Sequence, residues 1–137
     1  MANVYECSLI ELPRIPSLSG SLTPVTGGST LPFQIERVYY LYDIPGGEAR
    51  GGHAHHNLHQ LIVAASGSFD VLLDDGNNRR MVHLNRPYYG LYITSMIWRE
   101  LLNFSSGGIC LVLASASYDE TDYVRNYEQF RELVKTQ

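Results

Sequence analysis

Cysteine, lysine and long apolar runs are scarce in this sequence, and each scarcity removes a class of protein. The two cysteines, Cys7 and Cys110, are too few for the disulfide framework of a small secreted domain. No apolar run approaches the ~18 residues that a membrane-spanning helix needs. The N-terminal residues lack the basic and apolar regions of a secretory signal. These absences predict a protein of the reducing cytoplasm.

Charge is also low, at 18% of residues against 45% hydrophobic, which is typical of a globular chain. The length of 137 residues predicts a single domain spanning residues 1–137. A net charge of −4 argues against a large surface for binding nucleic acid. All basic residues except Lys135 are arginines, which suit forked recognition of phosphate or carboxylate. A compositional bias toward arginine is the alternative explanation.

Glycine and proline divide the first two thirds of the chain into short segments rich in β-branched and aromatic residues, which predicts an all-β sandwich or barrel. The acidic stretch around Asp122 and the apolar spacing that follows predict a C-terminal α-helix from Asp122 to about Val134. Val4–Leu12 is a candidate strand for pairing with a partner chain. The other predicted strands are Ile35–Tyr42, Gln60–Ala64, Ser68–Leu73, Arg80–Leu84, Gly90–Ile93, Ile97–Phe104 and Ile109–Ser115.

Four of the five histidines fall between His53 and His59. His53 and His55 are two residues apart, so on a strand both rings point to one face and can share a pocket. The surrounding spacing is a glycine at Gly47, the His-x-His pair, Gln60 and Gly67. This pattern resembles the first motif of the cupin superfamily, whose fold is a double-stranded β-helix, or jelly roll.

Two departures from the cupin pattern bear on chemistry. Gln60 stands where metal-binding cupins have a ligating glutamate, and Arg99, four residues before Asn103, stands where the second motif has a histidine. An amide is a poor ligand for a transition metal, and a guanidinium cannot ligate one. We therefore expect no metal and no cofactor. Two histidines that move protons beside a cation that stabilises an oxyanion fit isomerisation or epimerisation next to a carbonyl. The alternative is that the two histidines are structural.

Longer strings resemble a particular cupin group, the nucleoside-diphosphate-sugar 3,4-ketoisomerases that act on dTDP-4-oxo-6-deoxyglucose. The resemblance covers most of the chain. Its carriers are Arg37-Val38-Tyr39-Tyr40, Arg50-Gly51-Gly52-His53-Ala54-His55, Leu73-Asp74-Asp75-Gly76, Gly90-Leu91-Tyr92-Ile93, Ile97-Trp98, Asn103-Phe104-Ser105-Ser106, Leu113-Ala114-Ser115 and the tail from Tyr118 to Arg125.

The resemblance implies a metal-free cytoplasmic homodimer, with exchanged N-terminal strands, that moves a keto group from C4 to C3 in the biosynthesis of 3-amino-3,6-dideoxy sugars. It implies that His53 removes the C3 proton. His55 would then act as a second acid or base, or hold a sugar hydroxyl. In the same family, Arg99 favours a product of gluco configuration at C4, whereas Ser19 gives no support to that assignment.

The remaining candidate residues are substrate-binding ones. Arg50 is the first candidate for the diphosphate and Arg37 the second, although either could be an ordinary surface arginine. Gln60 would hydrogen-bond the sugar or one of the histidines. Three aromatic residues could line the pocket or belong to the core: Tyr39, Tyr92 and Trp98.

Three other functions stay open on the sequence. A 3,5-epimerase also uses cupin histidines on a nucleotide-linked 4-keto sugar, although its chain is usually longer. A non-catalytic cupin could bind a sugar or a small anion. A metal-dependent cupin oxygenase would need ligands that Gln60 and Arg99 do not supply.

Overall fold

Strands dominate the computed structural model, which describes residues 2–136. Within that part of the chain, two five-stranded antiparallel sheets have the orders β1-β9-β6-β11-β4 and β12-β5-β10-β7-β8, and β2 and β3 form a separate hairpin. The bounds are β1 Ser8–Glu11, β2 Ile15–Ser17, β3 Gly20–Leu22, β4 Arg37–Leu41, β5 Arg50–His55, β6 Gln60–Ser66, β7 Phe69–Asp74, β8 Arg79–Leu84, β9 Tyr89–Ile93, β10 Trp98–Leu102, β11 Ile109–Ala114, β12 Tyr123–Val124 and α1 Tyr127–Lys135. The predicted all-β class with a short C-terminal helix is confirmed.

The main core lies between the two sheets and follows from the two-residue period of the strands. In β7, Phe69, Val71 and Leu73 are fully buried, while the residues between them are less so. These side chains pack with Ile62 of β6 and Val112 of β11 from the opposite sheet. The cavity described below lies at the end of the sandwich formed by β4, β5 and β10.

A second apolar cluster fixes the strand that carries the histidine pair. Phe130 and Val134 of α1 pack against Trp98 and against Ala54, which lies between the two histidines. Gly52 has no side chain at the point where a Cβ would overlap the Trp98 indole. The helix therefore holds β5 from outside the sandwich, and the histidine rings point to the other face.

The C-terminal helix begins later than the sequence predicts. Asn126 caps it by accepting a hydrogen bond from the Gln129 backbone N–H, and the helix runs from Tyr127 to Lys135. Tyr123 and Val124 instead form β12, which pairs with His55 and Ala54. The prediction of helix from Asp122 is wrong at its first turn because pairing with a distant strand outweighs the local periodicity.

The N-terminal segment pairs within its own chain. Ser8–Glu11 lies antiparallel to Tyr89–Tyr92 of β9. Two contacts hold the preceding residues: the Val4 N–H donates to Asp75 at 2.9 Å, and Arg80 donates to the Val4 carbonyl at 3.2 Å. Within its own chain, this segment occupies an edge of the first sheet, with β9 as its neighbour there, and the expectation that Val4–Leu12 pairs with a partner chain stays a prediction.

None of the helices within residues 2–136 has the length and apolar character needed to cross a bilayer.

Candidate active site

A cavity of about 600 Å³ opens between the two sheets at the end where β4, β5 and β10 approach one another. Six of the nine predicted site residues line it: Arg37, Tyr39, Arg50, His53, Gln60 and Arg99. The register explains why they meet. His53 and Arg99 are direct partners across β5 and β10, so their side chains emerge on the same face. Arg37 and Tyr39 are two residues apart on β4 and share a face.

Tyr92 and Trp98 are absent from the cavity lining, and of the two places that the sequence left open, both pack against apolar clusters. Trp98 precedes Arg99 on the same strand, so the two side chains point to opposite faces, and Trp98 packs under the helix. Tyr92 lies opposite Leu61, on the outer face of the first sheet, where its hydroxyl is 2.8 Å from His59 Nδ1.

His53 is in a form that can accept a proton at neutral pH. Burial, reinforced by the nearby charge of Arg99, lowers the pKa of His53 from its ordinary 6.5 to about 3. Its Nε2 is buried and has no hydrogen-bond partner among the described residues. A neutral imidazole with an unpartnered nitrogen in a cavity can accept a proton, although a pKa of about 3 makes it a weaker base than an imidazole that titrates near neutral pH.

His55 lies deeper than His53 and does not line the large cavity. Its ring is fully buried, 4.9 Å from the His53 ring in an edge-on arrangement and 4.3 Å from the Tyr123 ring, centroid to centroid. Its Nδ1 is 3.0 Å from a carboxylate oxygen of Asp122. Burial first, and then the charge of Arg99, lowers the pKa of His55 to about 2. His55 also borders a smaller pocket of about 150 Å³ on the far side.

Arg99 is a buried cation whose hydrogen-bond partners are neutral. Its Nε and Nη2 donate to the Ile97 carbonyl at 3.2 and 2.9 Å, and its Nη1 donates to the side-chain oxygen of Gln60. Burial lowers the pKa of Arg99 to about 10, which still leaves it charged at neutral pH. Among the described residues, its hydrogen-bond acceptors are carbonyl oxygens, so its charge remains available to an anion in the cavity.

Gln60 orients Arg99, which was not among its predicted roles. Its oxygen accepts from Arg99, and its Nε2 is 3.1 Å from the Tyr39 hydroxyl. It hydrogen-bonds neither histidine in this structure. Because the amide is 1% exposed and engaged at both ends, it acts mainly by holding the guanidinium and the phenol in place.

The residues at the metal position of other cupins do not fit a metal. Arg99 occupies one corner with a positive charge, and the Gln60 oxygen that could ligate already accepts a hydrogen bond from it. Across residues 2–136, no three histidine, cysteine or carboxylate side chains are grouped closely enough to hold an ion.

Three further side chains from the C-terminal segment line the cavity and were missed as site residues: Tyr118, Tyr123 and Arg125. The Arg125 guanidinium lies 4.1 Å from the Tyr123 ring centroid, and Glu120 holds it through two hydrogen bonds of 2.7 and 2.9 Å. The string from Tyr118 to Arg125 carried part of the family resemblance. Because Tyr123 was assigned to a helix, its pairing with His55 could not be foreseen.

Arginines give the cavity a cationic wall. Arg37, Arg50 and Arg125 line it in addition to the buried Arg99. Arg37 lies over the Tyr39 and Tyr118 rings at 5.2 and 5.6 Å, and its Nε is buried without a partner in the part of the chain that the structure describes. Several forked donors beside flat aromatic surfaces suit a ligand with phosphate groups and a planar ring.

The buried histidines predict that the fold loses stability in mild acid. The pKa values of His53 and His55 in the folded chain both lie below 6.5. Near pH 6, the two histidines therefore bind protons in the unfolded chain but not in the folded chain. Their stabilising contribution is complete above pH 6.5 and declines as pH falls toward the folded values. We expect the free energy of unfolding in urea to drop by about 2–3 kcal/mol between about pH 7.5 and about pH 5.5. A flat profile over that range would contradict the neutral burial of both rings.

Comparison with known proteins gives a consistent result. The family described as FdtA (WxcM-like, C-terminal) matches residues 5–135. A TDP-4-oxo-6-deoxy-alpha-D-glucose-3,4-oxoisomerase from Aneurinibacillus thermoaerophilus is 43% identical over 94% of this chain and 93% of its own length.

Two solved structures support the same relationship. The TDP-quinovose 3,4-ketoisomerase WlaRB from Campylobacter jejuni is 45% identical, with a TM-score of 0.88 over 92% of this chain and 97% of its own. QdtA, a sugar 3,4-ketoisomerase from Thermoanaerobacterium thermosaccharolyticum solved with TDP, is 40% identical, with a TM-score of 0.94 over 98% of both chains.

Proposed function

The chain belongs to the FdtA family of nucleotide-sugar 3,4-ketoisomerases, and on that premise we propose that it moves the keto group of dTDP-4-oxo-6-deoxy-D-glucose from C4 to C3. One observation carries the proposal. His53, with its pKa lowered to about 3 and its Nε2 unpartnered, lines the same cavity as the buried cation Arg99. A neutral base next to a fixed positive charge is what deprotonation beside a ketone requires.

The reaction follows as two proton transfers at carbon, first from C3 and then to C4, through an enediolate. His53 takes the proton from C3, the electrons of the C3–H bond form a C3=C4 double bond, and the carbonyl pair moves onto the C4 oxygen. Arg99 stabilises that negative charge. The C3 hydroxyl proton then passes to the C4 oxygen, the C3 oxygen forms C3=O as the double-bond electrons move to C4, and C4 accepts a proton. His55 acts as the second acid or base, or holds a sugar hydroxyl, and no atom is gained or lost overall.

Arg50 and Arg37 bind the diphosphate in this proposal, and Arg125 adds a third forked donor. Tyr39, which lines the cavity with its hydroxyl held by Gln60, supplies a flat surface and a polar contact to the ligand. The arginine at position 99 favours a product of gluco configuration at C4. No metal and no cofactor take part, because fixed charge and paired imidazoles supply what the reaction needs.

The proposal extends to the assembly and the setting of the protein. Residues 1–137 would act as a single domain in a cytoplasmic homodimer. Apolar side chains support the dimer: Val38 and Tyr40 of β4 and Ile15 and Leu22 of the β2–β3 hairpin are more than half exposed. The N-terminal strands would be exchanged between the subunits, and both the edge strand β1 and the β2–β3 hairpin are available for that exchange. The product would enter the biosynthesis of 3-amino-3,6-dideoxy sugars for lipopolysaccharide or related glycans.

The function is tested by incubating the purified protein with dTDP-4-oxo-6-deoxyglucose in deuterium oxide and following the reaction by NMR. We expect the 3-oxo isomer to accumulate with deuterium at C4, because C4 is protonated in the second step. Treatment with a strong chelator should leave the rate unchanged. Deuterium at C3 and C5 without a 3-oxo product would indicate the 3,5-epimerase instead. Binding of dTDP without any conversion would indicate a non-catalytic cupin.

A further inference from the structure

Asp122 ties the C-terminal segment to the histidine strand through three contacts. Its backbone oxygen accepts from the His56 N–H at 2.9 Å. One carboxylate oxygen accepts from the Asn57 N–H at 2.8 Å, and the other is 3.0 Å from His55 Nδ1. The two side chains are nearly closed off from solvent, at 0% exposed for His55 and 14% for Asp122. A buried hydrogen bond with this geometry is held firmly in one arrangement.

The carboxylate determines which ring nitrogen of His55 carries the proton. An ionised carboxylate only accepts hydrogen bonds, so the hydrogen of a neutral His55 must sit on Nδ1. Nε2 is then left with its lone pair, and it is buried without a partner among the described residues. Within residues 2–136, no other side-chain hydrogen bond of His55 selects between the two tautomers.

We propose that Asp122 is a positioning residue for the isomerisation: it holds His55 in the Nδ1–H tautomer and so keeps Nε2 as the free acceptor beside His53. The inference rests on the acid–base role proposed above for His55. Asp122 itself does not line the large cavity, so it acts through His55. This role would explain why the chain turns at residues 120–122 to pair Tyr123 with His55 before the helix begins.

Asp122→Asn tests the proposal because its geometry is constrained. The Asn57 N–H donates to one carboxylate oxygen at 2.8 Å, so the amide oxygen is favoured at the Asn57 side. The amide nitrogen then faces His55 Nδ1 and donates to it. His55 is forced into the Nε2–H tautomer with little change in shape, and its free acceptor is lost.

We expect long-range ¹H–¹⁵N NMR spectra to show a protonated Nδ1 on His55 in the wild-type protein and a protonated Nε2 in Asp122→Asn. We expect kcat to fall by about 10²–10⁴-fold, as for the analogous change in a Ser-His-Asp triad, with KM altered far less. Asp119→Asn is the matched control. It removes an acidic charge from the same turn, where Asp119 caps residues 120–122 and does not contact His55.

Each outcome decides the matter. An unchanged His55 tautomer in Asp122→Asn, or a switched tautomer with kcat within about threefold of wild type, would overturn the positioning role. So would an equal loss of kcat in Asp119→Asn. If the wild-type protein converts no keto sugar, the proposed function fails, and the tautomer spectra still decide whether Asp122 sets the protonation state of His55.

Discussion

His53→Asn should reduce kcat for the 3,4-isomerisation by about 10³-fold, since a positioned general base contributes in that range. Asparagine keeps a polar side chain of similar reach but cannot take a proton from carbon at neutral pH. Affinity for dTDP should change little, because the arginines that line the cavity are left in place. Turnover measured by NMR and dTDP binding measured by calorimetry separate the two effects.

His56→Asn provides the control for that variant. His56 lies three residues farther along, is exposed, and borders a different surface pocket. Its substitution should leave kcat and dTDP affinity unchanged. If His53→Asn retained near-normal turnover, the base would have to be another group. If it lost dTDP binding in parallel, the defect would lie in the shape of the cavity.

Strand periodicity and the resemblance to the cupin motifs together predicted the centre of the site. The spacing from Gly47 through the His-x-His pair to Gln60 and Gly67 placed His53 on a strand, and the motif that ends at Asn103 placed Arg99 beside it. The structure brings these positions together through the register of β5 and β10 and the contact between Arg99 and Gln60. Only the pairing of His53 with His55 is local, because two residues that are two positions apart on a strand share a face wherever the strand lies.

For two aromatic residues, the sequence already favoured the core over the pocket. Trp98 and Arg99 are adjacent, so placing Arg99 in the cavity excludes Trp98 from it. The residue type of Tyr92 suits a pocket, but it does not indicate which face of β9 points inward. Leu91 and Ile93, which flank it, are the buried residues of that strand. The alternation rule alone would have favoured Tyr92 on the outside.

The contribution of the C-terminal segment could not be predicted, because it depends on contacts distant in sequence. Tyr123 and Val124 form a strand only by pairing with His55 and Ala54, and the Asp122–His55 contact spans 67 positions. Locally, an acidic residue followed by apolar residues at helical spacing favours a helix. Tertiary pairing outweighs a preference of that size over a few residues.

The second large effect concerns Arg99, whose removal should affect both catalysis and the histidines. Arg99→Met keeps a long side chain of similar reach in the core but deletes the charge that stabilises the enediolate. We expect kcat to fall by about 10²–10³-fold, the usual cost of losing one such donor. The pKa of His53 should also rise, because Arg99 is the largest contributor after burial to its lowered value. It should stay below 6.5, since burial remains.

Two further variants distinguish loss of charge from loss of packing at this position. Arg99→Lys keeps the cation but cannot reproduce the fork that reaches both Ile97 and Gln60, so we expect it to recover part of the kcat lost in Arg99→Met. Arg131→Met removes an exposed arginine from the helix and should alter neither kcat nor the pKa of His53. NMR titration of His53 in all three variants follows the electrostatic effect directly. If Arg99→Met left the pKa of His53 and kcat unchanged, the buried guanidinium would be structural. The negative charge on the sugar would then need another partner, and Arg37, which lines the cavity with an unpartnered Nε, would be the candidate.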